Sequence, residues 1–109
     1  MLEVRVHNNS AGRSCHPVGE LDAASSDVFR ATLAELAAQV GTGDRVVIDL
    51  TDVPFVDSAG LGALISGVRA VRERGGDILL AGAKPSVANL LRTTEIDQIV
   101  DVEVAQPAP

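Results

Sequence analysis

A serine at the start of a predicted helix, Ser58, is the residue of this chain with the clearest chemical potential. It follows an apolar stretch and Asp57, and Gly60 and Gly62 lie in the next turn. A serine at a helix N-cap accepts a hydrogen bond from a first-turn amide, and the unpaired amides and the helix dipole favour negative charge there. We therefore expect Ser58 to cap the helix and to tolerate a phosphate, and the two glycines to leave room for a partner's backbone or a phosphate. Helix capping with no further role is the alternative for this serine.

Catalytic and nucleotide-binding roles of this region fit the sequence poorly. A nucleophile elbow needs glycine where the chain has Val56, and both histidines, His7 and His16, fall in the predicted N-terminal strands. The stretch 60–65 has the first two glycines of a dinucleotide turn, but Ile65 takes the third position, and no Walker motif occurs. We therefore expect no enzymatic activity, no catalytic residues and no cofactor.

A metal site is also poorly supported. The only candidate ligands outside the carboxylates are Cys15, His16 and His7. Adjacent strand residues such as Cys15 and His16 point to opposite faces, and the chain has no second cysteine. We expect these three residues to be structural.

Composition limits the possible classes of protein. With 109 residues and 46% hydrophobic content, the chain can build one domain with a real core. A net charge of −6 argues against direct nucleic-acid binding, which needs a basic surface. No apolar run reaches the roughly 20 residues of a membrane-spanning helix, so we expect no membrane insertion. The single cysteine and the absence of a signal-peptide pattern favour a cytoplasmic location.

Hydrophobic periodicity and turn residues predict an α/β fold with the order β-β-α-β-α-β-α-β. Strands are predicted at 2–7, 13–19, 44–50, 77–81 and 98–104, and helices at 23–40, 58–74 and 84–91, with a turn at 8–12 and a frayed tail at 106–109. The first helix is predicted to bury Val28, Phe29, Leu33, Leu36 and Val40. The nearly continuous apolar strand at 44–50 predicts parallel neighbours and a cover on both faces of the sheet.

The predicted topology gathers four polar side chains at one edge of the sheet. Strands that alternate with helices form parallel pairs, and sites in such sheets lie at the carboxyl ends of the strands. The connections after the second, third and fourth strands contain Asp22, then Asp57 and Ser58, then Lys84. We expect these residues to share one neighbourhood, although Lys84 before a proline is also typical of a solvated helix entry.

Three segments of the chain resemble anti-anti-sigma factors, the free-standing STAS domains of bacteria. The stretch Asp57-Ser58-Ala59-Gly60-Leu61-Gly62 is similar to the signature of that family. Gly19-Glu20-Leu21-Asp22 is similar to its second recurrent element, and the segment 75–82 to its Gly-Gly-strand segment. The resemblance covers roughly residues 17 to 100 and implies a single STAS domain at 1–105, with a mixed β-sheet packed by helices.

The resemblance also implies a mechanism. In that family the serine that matches Ser58 is phosphorylated by an anti-sigma factor that is also a serine kinase, and only the unphosphorylated form binds it and releases the sigma factor. A PP2C-type phosphatase is the implied second partner. The implied phosphorylation site is Ser58, and the implied partner-binding residues are Asp22, Asp57, Ser58, Ala59, Gly60, Leu61, Gly62 and Lys84.

Two positions depart from the family pattern. Pro17 interrupts an otherwise apolar strand, and proline prefers an edge or a bulge because it donates no ladder hydrogen bond. The sequence Thr94-Glu95-Ile96 replaces a common glycine, so we expect the third helix to end without a left-handed cap.

A second class of function is compatible with the same residues. A STAS domain that acts as a scaffold, or as an accessory subunit of a transporter or signalling complex, would have Ser58 only as a structural residue.

Overall fold

The computed structural model describes residues 2–9 and 12–105, so the predicted tail at 106–109 lies outside the described residues. The described elements are β1 (Glu3–Asn9), β2 (Gly12–Val18), α1 (Ser26–Ala37), β3 (Arg45–Asp49), α2 (Ser58–Glu73), β4 (Asp77–Ala83), α3 (Pro85–Thr93), a 3₁₀ turn (Ile96–Gln98) and β5 (Asp101–Val104). This order confirms the predicted α/β fold. The last strand begins later than predicted because residues 96–98 form the 3₁₀ turn.

One five-stranded sheet organises the molecule, with the strand order β1-β2-β3-β4-β5. β1 and β2 are antiparallel, and every later neighbour pair is parallel. β3 is therefore central between two parallel neighbours, as its apolar sequence predicts. Right-handed crossovers in a sheet of this order place all three helices on the same face.

The prediction that both faces of the sheet are covered at β3 is wrong. Val46 and Ile48 are fully buried, whereas Val47 and Asp49 on the opposite face are only half-buried. The same alternation continues in β4, where Ile78 and Leu80 are buried. Branched apolar residues occupy the uncovered face as well, which is why the sequence looks buried on both sides.

The helices α1 and α2 pack side by side over the sheet. A side chain at Gly67 would bring its Cβ to 2.5 Å from Leu33 Cδ1, so the two helices approach closely at this point. Phe29, Leu33, Leu36 and Val40 join the core as predicted, but Val28 is 57% exposed. Helix α1 starts only at Ser26, because residues 22–25 form a turn. Val28 is exposed because it lies about 100° around the helix from Phe29, which faces the core.

The two departures from the family pattern have local solutions. Pro17 pairs with Val4 of β1, while the pairing of β2 with β3 ends at Cys15. At Pro17 the strand therefore has a paired neighbour on one side only, which is a position that proline tolerates. The expectation that α3 ends without a left-handed residue is wrong. Glu95 adopts φ = 64°, the conformation that glycine usually supplies after a helix.

Candidate functional site

Two loops at the carboxyl edge of the sheet are joined by backbone hydrogen bonds. The Leu21 N–H donates to the Phe55 carbonyl at 3.0 Å, and the Asp57 N–H donates to the Leu21 carbonyl at 3.0 Å. Leu21 and Val56 form an isolated parallel bridge, and both side chains are buried. The loop after β2 and the loop after β3 therefore form one unit, which we call the loop bridge (residues 21 and 55–57).

Asp57 connects the loop bridge to helix α2. Its Oδ1 accepts a hydrogen bond from the Gly60 N–H at 3.0 Å, which makes Asp57 the N-cap of α2. Its Oδ2 accepts from the Ala23 N–H at 3.2 Å, so the same carboxylate also holds the loop after β2. One side chain thus fixes both the start of the helix and the neighbouring loop.

The expectation that Ser58 caps the helix is wrong. Ser58 is the first residue inside α2, because Asp57 has the extended backbone and the carboxylate that the cap position favours. The Ser58 side chain is exposed, and no residue within 2–9 or 12–105 forms a hydrogen bond with its hydroxyl. The hydroxyl is therefore accessible to solvent and to another protein.

The two glycines of the first turn have different surroundings. A Cβ at Gly60 would lie 2.1 Å from the Leu21 carbonyl oxygen, so Gly60 is required for the close contact between α2 and the loop bridge. The expectation that Gly60 leaves room for a partner is wrong, because Leu21 fills that space. A Cβ at Gly62 would meet only the Arg30 Nη2, at 3.7 Å. Gly62 therefore lies on the outer side of the helix.

Asp22 is held by its own loop. Its Oδ1 accepts from the Ala24 N–H at 3.0 Å and from the Ser25 N–H at 3.1 Å. The Ser25 hydroxyl, 8% exposed, donates to the Glu20 carbonyl at 2.7 Å. These bonds orient the Asp22 carboxylate toward the turn before α1.

The topology prediction is confirmed for three of the four edge residues. The hydrogen bond from Ala23 to Asp57 brings Asp22, Asp57 and Ser58 together. Lys84 follows β4 at the same edge and is half-buried at the start of α3. In the described part of the chain, no hydrogen bond or ion pair joins its ammonium group to the other three residues.

Phe55 is a surface residue for which the sequence analysis predicts no role. Its ring is 50% exposed beside the loop bridge, while its carbonyl is fixed by the Leu21 N–H. The signal was present in the sequence, because the chain has only two phenylalanines and no tyrosine or tryptophan, and one of the two lies two residues before Asp57. An exposed aromatic side chain on a fixed backbone is typical of a binding surface.

Asp49, the last residue of β3, is a carboxylate near this edge with a lowered pKa. Partial burial raises the pKa of Asp49, but hydrogen bonds from the Thr51 hydroxyl and amide, together with the nearby His16, hold it below its ordinary value. His16 lies 2.7 Å from the Asp52 carboxylate. The edge of the sheet beside the loop bridge is therefore acidic.

Cys15 is buried in the core, away from this edge. Burial raises the pKa of its thiol to about 12, so it is not a nucleophile at neutral pH. Residues 2–9 and 12–105 contain no group of three histidine, cysteine, aspartate or glutamate side chains arranged to hold a metal ion. Within the same residues, no helix has the length and apolar character needed to cross a membrane.

Comparison with known proteins assigns the family. The STAS domain family model matches residues 3–106, and the chain belongs to the STAS domain family. The anti-sigma-B factor antagonist of Bacillus subtilis is 31% identical over 101 residues, which cover 93% of this chain and 90% of that relative. The resemblance based on three short motifs is confirmed.

Solved structures show the same fold. SpoIIAA, a Bacillus anti-sigma factor antagonist, matches in its unphosphorylated form with a TM-score of 0.74 and 17% identity, covering 92% of this chain and 87% of that chain. Its phosphorylated form matches with a TM-score of 0.69 and 16% identity, covering 92% and 90%. The murine anion transporter Slc26a9 matches with a TM-score of 0.75 and 20% identity, covering 92% of this chain but 17% of the transporter.

The assignment of the helix cap generates a first prediction. Asp57→Ala removes both hydrogen bonds of the carboxylate and should lower the free energy of unfolding by about 1 to 3 kcal/mol. Ser58→Ala removes an exposed hydroxyl and should change it by less than about 0.5 kcal/mol. Urea denaturation of both variants measures the difference. Equal losses from the two variants would contradict the assignment of Asp57 as the cap.

The two glycines generate a second prediction. Gly60→Ala forces a Cβ against the Leu21 carbonyl and should destabilise the protein by about 1 to 3 kcal/mol. Gly62→Ala is the matched control, because its methyl group would meet only the Arg30 Nη2 at ordinary van der Waals distance, and it should stabilise the helix by about 0.5 to 1 kcal/mol. Thermal melts of both variants measure the contrast. A Gly60→Ala protein as stable as the wild type would show that the contact with Leu21 is not required.

Proposed function

We propose that this chain is an anti-sigma factor antagonist whose unphosphorylated form binds an anti-sigma factor and so releases a sigma factor. The observation that carries the proposal is the exposed Ser58 hydroxyl at the first residue of α2, beside a loop whose backbone is fixed. Membership of the STAS family and the similarity to the anti-sigma-B factor antagonist of Bacillus subtilis support it. The chain acts here as a binding protein and as the substrate of a kinase, not as an enzyme.

The proposed binding surface is the start of α2 and the loops beside it. Its centre is Ser58 with the half-buried Ala59, Leu61 and Gly62, which present small or apolar groups to a partner. Phe55 supplies the largest exposed apolar group beside them. An interface of this kind draws most of its free energy from a few buried anchors.

The rim of this surface carries negative charge. Asp22 and Asp57 lie at the edge, Lys84 follows β4 at the same edge, and the chain has a net charge of −6. A partner with a basic patch would be steered toward such a surface. Gly60 contributes indirectly, because it allows α2 to pack on the loop bridge.

We propose that an anti-sigma factor with serine kinase activity switches this surface off. In that step the γ-phosphoryl group of ATP moves to Ser58 Oγ, ADP leaves and the hydroxyl proton is released to the kinase or to solvent. The product carries about −1.5 to −2 additional charges. Because the Gly60 N–H is already bonded to Asp57, the phosphate does not gain that amide as a partner.

The added charge weakens the complex with the partner more than it destabilises the free chain. In the free chain, water solvates the phosphate and screens it from Asp57 and Asp22. In a docked interface the same group loses water and lies beside carboxylates, so the affinity falls. A PP2C-type phosphatase would restore binding by hydrolysing the phosphoester, which the exposed position of Ser58 permits.

A third prediction tests the switch. Incubation with the cognate kinase and ATP should place one phosphate on Ser58, because the side chains of Ser25 and Ser26 are buried. Ser66 and Ser86 are the controls that lie elsewhere on the helices. Phosphopeptide mapping identifies the site.

Matched variants complete this experiment. Ser58→Ala should keep the affinity of the unphosphorylated chain for the anti-sigma factor, and Ser58→Glu should reduce it, as measured by calorimetry. If both variants bound as tightly as the wild type, charge at residue 58 would not be the switch. A chain that bound no anti-sigma factor but co-purified with a transporter would favour the scaffold or accessory-subunit alternative.

A further inference from the structure

Arg30 of helix α1 extends over the outer face of helix α2. Its Nη2 lies 3.7 Å from the position that a Cβ on Gly62 would occupy. The two residues line a shallow groove of about 370 Å³ together with Ser66, Arg69 and Glu73 of α2. Within residues 2–9 and 12–105, the guanidinium of Arg30 makes no ion pair and no hydrogen bond. It is a cation near the proposed switch, and the contacts described so far give it no role.

Ser58 lies one helical turn before Gly62 on the same face of α2. Side chains four residues apart on a helix have their Cβ atoms about 5 to 6 Å from each other. A phosphoryl group extends Ser58 further and offers three acceptor oxygens. The guanidinium over Gly62 is therefore within reach of a phosphate on Ser58.

We propose that Arg30 is the internal counter-ion of phosphorylated Ser58, and that Gly62 is the gap through which the guanidinium reaches the phosphate. This inference rests on the proposed phosphorylation of Ser58 and concerns how the phosphate is held. Arginine suits the role because its planar fork can donate two parallel hydrogen bonds to phosphate oxygens.

The surrounding charges favour a phosphate on Ser58 that points toward Arg30. On the side of the loop bridge, the Asp57 carboxylate repels the phosphate and already occupies the Gly60 N–H. On the groove side, Arg30 is the nearest cation, with Asp27 one turn earlier on α1 and Glu73 at the far end of the groove. Arg69 is eleven residues after Ser58, a rise of about 16 Å along the helix, and is too far to pair with the phosphate.

The consequence concerns the surface that a partner meets. Phosphorylation adds an anion at Ser58 and at the same time neutralises a cation on the neighbouring helix. The phosphate then lies along α2 toward the groove, away from Asp57. The outer face of α2 loses the free positive charge of Arg30 when Ser58 is phosphorylated.

Phosphorus NMR of the full chain tests this pairing. Phosphoserine is incorporated at residue 58 during translation, and the ³¹P titration midpoint of its phosphate is measured at low ionic strength. Arg30→Gln removes the cation that favours the dianion, so its midpoint should move to higher pH by roughly half a pH unit. Arg69→Gln, in the same groove but about 16 Å away along the helix, should move the midpoint by less than half as much. High salt should reduce the difference between wild type and Arg30→Gln.

A second variant tests the gap. Gly62→Val places a side chain where the guanidinium passes and should also move the midpoint to higher pH while Arg30 is still present. Equal midpoints for wild type and Arg30→Gln would overturn the proposal, and so would equal shifts from Arg30→Gln and Arg69→Gln. Because phosphoserine is supplied by translation, a kinase that failed to modify Ser58 would overturn the proposed function without affecting this measurement.

Discussion

The backbone contact between Leu21 and the segment 55–57 is the constraint on which the rest of the site depends. It joins the carboxyl ends of two parallel strands beyond the sheet itself, and it buries Leu21 and Val56. Helix α2 can start at this point only because Gly60 has no side chain to meet the Leu21 carbonyl. Asp57 then closes the arrangement by bonding both the helix and the neighbouring loop. Ser58 is the first side chain beyond these contacts, and this explains why its hydroxyl is exposed on a rigid support.

A rigid support favours a switch that acts through charge. The amides of Asp57, Gly60 and Leu61 are already paired within the protein, so a phosphate on Ser58 has little to reorganise in the loop bridge. Its effect falls on the surface, where it adds negative charge beside Asp57 and Asp22 and, in our proposal, recruits Arg30. A partner would then be rejected by electrostatics and lost water, with the fold of the antagonist unchanged. The open face of the sheet, where Val47 and Asp49 are half-buried, takes no part in this account.

Sequence patterns predicted the order of the elements and the edge where Asp22, Asp57 and Ser58 meet, because strand periodicity and parallel connections follow from local chemistry. They did not predict which residue caps α2, since aspartate and serine are both good N-caps and the backbone angle decides between them. The role of Gly60 was also out of reach, because its neighbour Leu21 is distant in sequence. Glu95 shows the same limit, since it adopts a left-handed conformation that its residue type disfavours.

Amide hydrogen exchange on the chain with and without phosphoserine at residue 58 tests the central claim most directly. The amides of Leu21, Asp57 and Gly60 are the donors that hold the loop bridge and the helix start. If phosphorylation acts through charge on a rigid support, their protection should be the same in both forms, while the affinity for the anti-sigma factor falls. Loss of protection at these three amides on phosphorylation would contradict this account and show that the switch works by opening the loop bridge.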